Sequence, residues 1–168
     1  MIRYSYPNLK KNDKMTEAQT DYKLLTQQVE ALLGDETDAT ARASNFASFL
    51  FHELVDLNWC GFYWLDNEGE TLVVGAFQGR PACLRIPMGK GVCGTAASRR
   101  ETLVVPNVHE FPGHIACDCA SNSEVVVPII DGEGALLGVL DIDSPKFARF
   151  DEEDARGLER LVEVLMGQ

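Results

Sequence analysis

Two apolar runs, Val125-Val-Val-Pro-Ile-Ile130 and Ala135-Leu-Leu-Gly-Val-Leu140, flank Asp131-Gly-Glu-Gly134. β-Branched residues either side of a glycine-rich turn commit this stretch to a β-hairpin. An isolated hairpin is marginal in water, so the rest of the chain must supply neighbouring strands and a cover. Pairing Ile130 with Ala135 sets Glu124 directly opposite Asp141, with Asp143 two residues further on. Period-two alternation then gathers all three carboxylates on one face at the open end of the hairpin. Like charges placed opposite each other destabilise a sheet unless something positive sits among them, which points to a cationic ligand. Cys83, Cys93 and Cys117 are among the five cysteines that precede the hairpin. A thiol of lowered pKa beside such a pocket would make it a reaction centre.

The remaining segments read as the partners that the hairpin requires. From Thr16 the pattern is helical, with Leu25, Val29, Leu32 and Leu33 in one stripe that Gly34-Asp-Glu-Thr-Asp38 breaks. Ala43, Phe46, Ala47, Leu50 and Leu54 repeat at three and four, so a second helix is expected to pack on the first and on a sheet. Trp59-Cys-Gly-Phe-Tyr-Trp-Leu65 and Thr71-Leu-Val-Val-Gly-Ala-Phe77, joined by Asp66-Asn-Glu-Gly69, read as another hairpin. Alternation puts Trp59, Gly61 and Tyr63 on one face, where the glycine leaves a gap between two rings for a methyl group or a cation; plain core packing is the competing reading.

Gly89-Lys-Gly-Val-Cys-Gly94 fits the G-x-G-x-x-G dinucleotide pattern. Arg85-Ile-Pro87 before it is a poor buried strand, however, and hairpins dominate the chain, so a nucleotide fingerprint is set aside. The glycines read instead as a close turn under a helix start, whose positive end is expected to lower the pKa of Cys93. Thr102-Leu-Val-Val105 is a short strand, and Pro106 to His114 a proline-punctuated loop of the kind that often serves as a lid. A last helix is capped by Asp151, has Glu152, Glu153 and Asp154 in its first turn, and buries Leu158, Leu161, Val162 and Leu165. Two helices, a hairpin, a short helix, a strand, a hairpin and a helix make an α+β domain, an antiparallel sheet backed by helices.

At 168 residues the chain suits a single domain. Residues 1 to 14, basic and without apolar periodicity, are expected to be a disordered extension, with the domain over 15 to 168. A net charge of -11 argues against nucleic acid and anionic membranes as partners. No apolar run is long enough to span a bilayer, and Met1-Ile-Arg-Tyr-Ser-Tyr6 lacks a signal-peptide core, so a cytoplasmic location is expected. Five cysteines without a secretion signal read as free thiols, metal ligands or redox catalysts rather than structural staples.

Asn58-Trp-Cys-Gly-Phe-Tyr63, Gly89-Lys-Gly-Val-Cys-Gly-Thr95, Asn107-Val-His-Glu-Phe-Pro-Gly-His-Ile-Ala-Cys-Asp118, Ser123-Glu-Val-Val-Val-Pro128 and Leu140-Asp-Ile-Asp-Ser144 occur in order. Together they resemble the GAF-fold free methionine-(R)-sulfoxide reductases, from about Thr20 to Met166. The resemblance implies a GAF-like single domain in a homodimer. It also implies Cys117 as nucleophile, Cys83 as main resolving thiol and Cys93 as the alternative resolver. Trp59 and Tyr63 would form a pocket for the sulfoxide end of the substrate, with Glu124, Asp141 and Asp143 around its ammonium and the sulfoxide oxygen. Cys60 and Cys119 lie outside the family pattern, and Cys119 stands as either a trap for a non-productive disulfide or a spare resolver.

In the chemistry so implied, a thiolate attacks the sulfoxide sulfur while its oxygen is protonated, leaving a sulfenic acid and releasing the thioether. Mutual repulsion among three carboxylates should hold a proton for that step. Asp141 is expected as donor or organiser, with Glu124 and Asp143 on the ammonium. Such a clamp favours the free amino acid over methionine within a polypeptide, and backbone N–H groups before Cys117 are expected to take the substrate carboxylate. Cys83 then closes a disulfide that a thioredoxin-type reductant reopens, and no metal or organic cofactor is required. Three rivals remain: a GAF-type ligand sensor, a zinc site of His109, His114, Cys117 and Cys119, and a divalent ion on the three carboxylates.

Overall fold

The structure, a computed structural model, describes residues 20–167. The expected extension over residues 1 to 14 lies outside these, as does the start of the first helical pattern at Thr16.

Three of the four helices form where short polar side chains can take up the free N–H groups of a first turn. Helix α1 (Tyr22–Leu33) is capped by Asp21, which accepts from the Leu24 N–H, and α2 (Ala39–Glu53) by Asp38, which accepts from Ala41. A third helix, α3, spans Gly91–Arg99. The last, α4 (Glu152–Met166), carries a reciprocal cap: Asp151 accepts from the Asp154 N–H, and Asp154 accepts from the Asp151 N–H. Asp151 is therefore the N-cap that the sequence indicates. The capping side chain contributes about 1 kcal/mol.

Six strands make one sheet: β1 (Trp59–Leu65), β2 (Thr71–Gly79), β3 (Arg85–Pro87), β4 (Leu103–Val105), β5 (Ser123–Ile130) and β6 (Leu136–Ser144). Their order is β3-β2-β1-β6-β5-β4, and every neighbouring pair is antiparallel. Strand β3 is an addition to the sequence reading. Its three residues pair with Thr71 to Val73 at the sheet edge, the position a proline tolerates.

Alternation sorts the strands into two faces. Cys60, Phe62, Val125, Val127, Ile129, Leu140 and Ile142 pack under α1, α2 and α4. Trp59, Tyr63, Val126 and Val139 join Val92, Cys93, Ala96 and Ala97 of α3 on the opposite side. The first two helices do touch, but α1 packs chiefly on α4, and α2 chiefly on β1 and β2.

The carboxylate hairpin forms in a register other than the one read from the sequence. Glu124 faces Asp143, and Asp141 faces Val126. The turn is the cause: Asp131 donates its N–H to Ala135 and accepts the Glu133 and Ala135 N–H groups on its carboxylate, so Ala135 sits across from Asp131 rather than Ile130. A bulge at Ile129/Ile130 absorbs the remainder. The slip amounts to two residues, and with a side-chain period of two the acids keep their face.

Candidate active site

The site lies at the end of the sheet where β5 and β6 leave the core. Glu124 and Asp143 stand opposite each other and Asp141 projects from the same face two pairs along. Glu124 and Asp141 are buried and Asp143 is half-buried. From above, α3 places Cys93 against them, and its S–H donates to Glu124 Oε1 at 3.6 Å. The approach of this helix depends on Gly94, because a Cβ there would run into the Pro87 carbonyl oxygen at the end of β3. The glycines thus serve close packing of a helix start, as expected, rather than a nucleotide phosphate.

The segment between β4 and β5, which contains the 3-10 turn Val108–Glu110, closes the remaining side. His114, Ile115, Cys117, Asp118 and Ser121 of this segment border the same cavity as Cys93, Glu124, Asp141 and Asp143. Asn58, at the mouth of β1, holds the segment down by donating to Asp118 Oδ2 (3.1 Å) and Ser121 Oγ (2.9 Å). Cys117 is joined to Cys83 by a disulfide whose Cα atoms are 5.2 Å apart. The cavity so enclosed measures about 20 Å³, room for about one water.

Three acids in this space repel one another's charge. Removal from water raises the pKa of each, and that is the largest cause for all three. The charges of Asp141 and Asp143 push Glu124 further up, and the charge of Asp141 does the same for Asp143. Asp141 is raised only to about 6, because hydrogen bonds from Cys93 and Glu124 favour its anion. No ion pair among the described residues involves any of the three.

Several expectations change at this site. Cys93 is the third residue of α3, yet its thiol is pushed well up rather than down, first by burial and then by Asp141 and Glu124. A helix start contributes at most about 2 kcal/mol to an anion, which desolvation beside two acids outweighs. Trp59 and Tyr63 do share a face with the carboxylates, and burial first, then the charge of Asp141, holds the Tyr63 phenol above its ordinary pKa. The gap expected over Gly61 is closed: Trp59 stacks on Tyr63 at 5.7 Å and on Phe77 at 5.3 Å. A Cβ at Gly61 would overlap both the Trp59 ring and Phe77.

The histidine–cysteine zinc set is not assembled. Cys117 is engaged in the disulfide, His109 Nε2 bonds Asn122 Oδ1 at 2.9 Å, and Cys119 is exposed. Asn58, Asp118 and Ser121 have no assigned role in the sequence reading, and His114 enters it only as a ligand of the rival zinc site. Asn58 and Asp118 fall inside the motif runs around Trp59 and Cys117, whereas Ser121 lies outside them and carries no signal.

A six-stranded antiparallel sheet with three helices on one face, and a small enclosed site under a short helix on the other, defines a GAF-type ligand-binding domain. The chain matches the GAF domain family over residues 41–165. It is 49% identical over 144 residues to the free methionine-R-sulfoxide reductase of Escherichia coli, covering 86% of each chain. It is 42% identical to the Saccharomyces cerevisiae enzyme of that name, over 98% of this chain and 89% of that one. The solved structure of free methionine-R-sulfoxide reductase from Neisseria meningitidis in complex with its substrate superposes with a TM-score of 0.83 at 43% identity, covering 87% of this chain and 85% of that one. The chain belongs to the GAF-domain family and, within it, to the free methionine-R-sulfoxide reductases.

Proposed function

We propose that this protein reduces free L-methionine-(R)-sulfoxide to methionine, with Cys117 as nucleophile and Cys83 as resolving thiol. The observation that carries the reading is that Cys117, joined to Cys83 by the disulfide, lines the same cavity as Glu124, Asp141 and Asp143. A redox-active sulfur and a buried anionic pocket are the two parts that reduction of a zwitterionic sulfoxide needs.

The Cys117 thiolate bonds to the sulfoxide sulfur while the oxygen is protonated and leaves as water; a water then attacks Cys117 Sγ, the S–S bond breaks to release methionine, and Cys117 carries the sulfenic acid. Cys83 attacks that sulfur, expels water and forms the disulfide, which two electrons from a thioredoxin-type dithiol reopen. Burial and mutual repulsion raise all three acids, so the cluster holds a proton that it can deliver to the sulfoxide oxygen. Asp141 serves as donor or organiser of that proton, and Glu124 and Asp143 hold the substrate ammonium.

A peptide-bound methionine brings no ammonium and would leave the carboxylate cluster unpaired, which disfavours it. A cavity of about 20 Å³ does not hold an amino acid, so the segment bearing Cys117 must swing away once the disulfide is reduced. In that open form Trp59 and Tyr63 flank the methyl end, and backbone N–H groups before Cys117 take the carboxylate. The enzyme works as a homodimer in the cytoplasm. No helix among the described residues is long and apolar enough to cross a membrane.

The test is turnover of free methionine sulfoxide with a dithiol reductant, alongside a methionine-sulfoxide peptide and sedimentation analysis. Activity on the free R epimer that disappears in Cys117→Ser supports the assignment. Full activity in Cys117→Ser removes it, and equal rates on the peptide remove the ammonium clamp.

A further inference from the structure

Cys93, whose thiol the proposed reduction does not use, stands against two of the acids. The Cys93 sulfur and one carboxylate oxygen each of Glu124 and Asp141 lie within 4.8 Å of one another, all three residues buried. Among the described residues this is the group of three such donors brought together. Asp141 is 6% exposed and its Oδ1 has no hydrogen-bond partner, although the residue borders the cavity. A buried acceptor left without a donor is destabilising, and a cation in the cavity would partner it.

We propose that, while Cys83 and Cys117 are joined, this cavity binds one thiophilic divalent cation of the zinc class through Cys93 Sγ and the carboxylates of Glu124 and Asp141. The spacing suits it. With Zn–S of about 2.3 Å and Zn–O of about 2.1 Å, a tetrahedral S···O edge is about 3.6 Å, and Cys93 Sγ stands 3.6 Å from Glu124 Oε1. A volume of about 20 Å³ fits an ion and no amino acid. A sulfur ligand favours zinc or cobalt over magnesium or calcium, which take oxygen alone. Asp143, lining the same space, adds negative charge beside the ion.

Binding exchanges protons for metal. The Cys93 S–H proton passes to solvent as the S–metal bond forms, and any proton held on Glu124 or Asp141 leaves with it. The disulfide makes the site selective, because it engages Cys117 and leaves Cys93 as the free sulfur on the cavity. The ion occupies the place assigned above to the substrate ammonium, so a loaded protein stands idle until the metal is removed. That consequence rests on the reductase reading, whereas the binding itself does not.

Cobalt(II) is the probe, added to the full-length oxidised protein while thiolate-to-cobalt charge-transfer absorption is followed in the near ultraviolet. One equivalent should produce the band, Zn²⁺ should displace it, and Cys119→Ser should leave it unchanged. Cys93→Ser should abolish it, and Glu124→Gln and Asp141→Asn should each weaken binding by about 10- to 100-fold. No band, or a band that survives Cys93→Ser, overturns the site. If Cys93→Ser does not fold, an unchanged affinity in both carboxylate variants overturns it equally. Turnover started from Zn²⁺-loaded protein should show a lag that EDTA pretreatment removes. A band with no turnover of free methionine sulfoxide under any condition would leave the metal site and remove the reductase reading; normal turnover with no band would do the reverse.

Discussion

On the helix-covered face of the sheet, Phe62, Val125, Val127, Ile129, Leu140 and Ile142 are buried against α1, α2 and α4 with no charged group among them. One residue along the same strands, Glu124, Asp141 and Asp143 point the other way into a small cavity. The first face gains free energy from every methylene it removes from water. The second carries three acids whose ionisation burial opposes. One face holds the fold so that the other can keep groups water would otherwise solvate, and the two respond to substitution in opposite ways.

The sharpest way to separate them is Cys117→Ser, which should lower turnover by about three orders of magnitude or more while the reduced protein stays folded. A comparable loss of stability would show that the site face also holds the fold. Next in size, Phe62→Ala, which empties a fully buried position that meets Phe46 at a ring distance of 5.7 Å, should cost about 3–5 kcal/mol in denaturant unfolding. Its KM for free methionine sulfoxide should hold, and a KM shift as large as the stability loss would tie the two faces together.

Asp141 gives a pH signature of the opposite sign to an ordinary paired carboxylate. Its folded pKa, about 6, lies above its ordinary 3.8. The folded state therefore binds more protons than the unfolded one through that window, and stability falls as pH rises from about 4 through about 6. The size is on the order of 3 kcal/mol. Glu124 and Asp143, also raised, extend the fall to higher pH. Asp141→Asn should flatten this part of the profile and raise Tm at neutral pH while impairing turnover; a profile unchanged in the variant would show that Asp141 is not the group responsible. The smallest effect is expected from Asn58→Ala. Losing two hydrogen bonds to the segment that bears Cys117 should cost about 1–2 kcal/mol locally, read as faster amide exchange over residues 114–121 with little change in global Tm.

Much of this was readable from residues alone. The acids share a face because hairpin alternation has a period of two, and that survived a register error of two residues. Asp151 caps the last helix because its side chain meets N–H groups two and three residues away, a local event. By contrast, the ring gap over Gly61 was misread, because the β2 residue that fills it, Phe77, lies in another strand. Strand β3 escaped notice because three residues with a proline carry no periodicity, and it exists by pairing with β2.

Local periodicity and turn chemistry thus determined the α+β element order and the face of each acid, since these depend on neighbours within a few positions in the chain, while the resemblance to a known family singled out three of the five cysteines. The tertiary structure alone decided which acid faces which, that Cys93 sits at 3.6 Å from Glu124 with its thiol proton held, and that Cys117 shares a cavity with all three carboxylates. Register depends on how a turn closes, and acidity on how much water neighbouring segments exclude. Both are set by distances between residues far apart in the chain, and no short-range pattern encodes them.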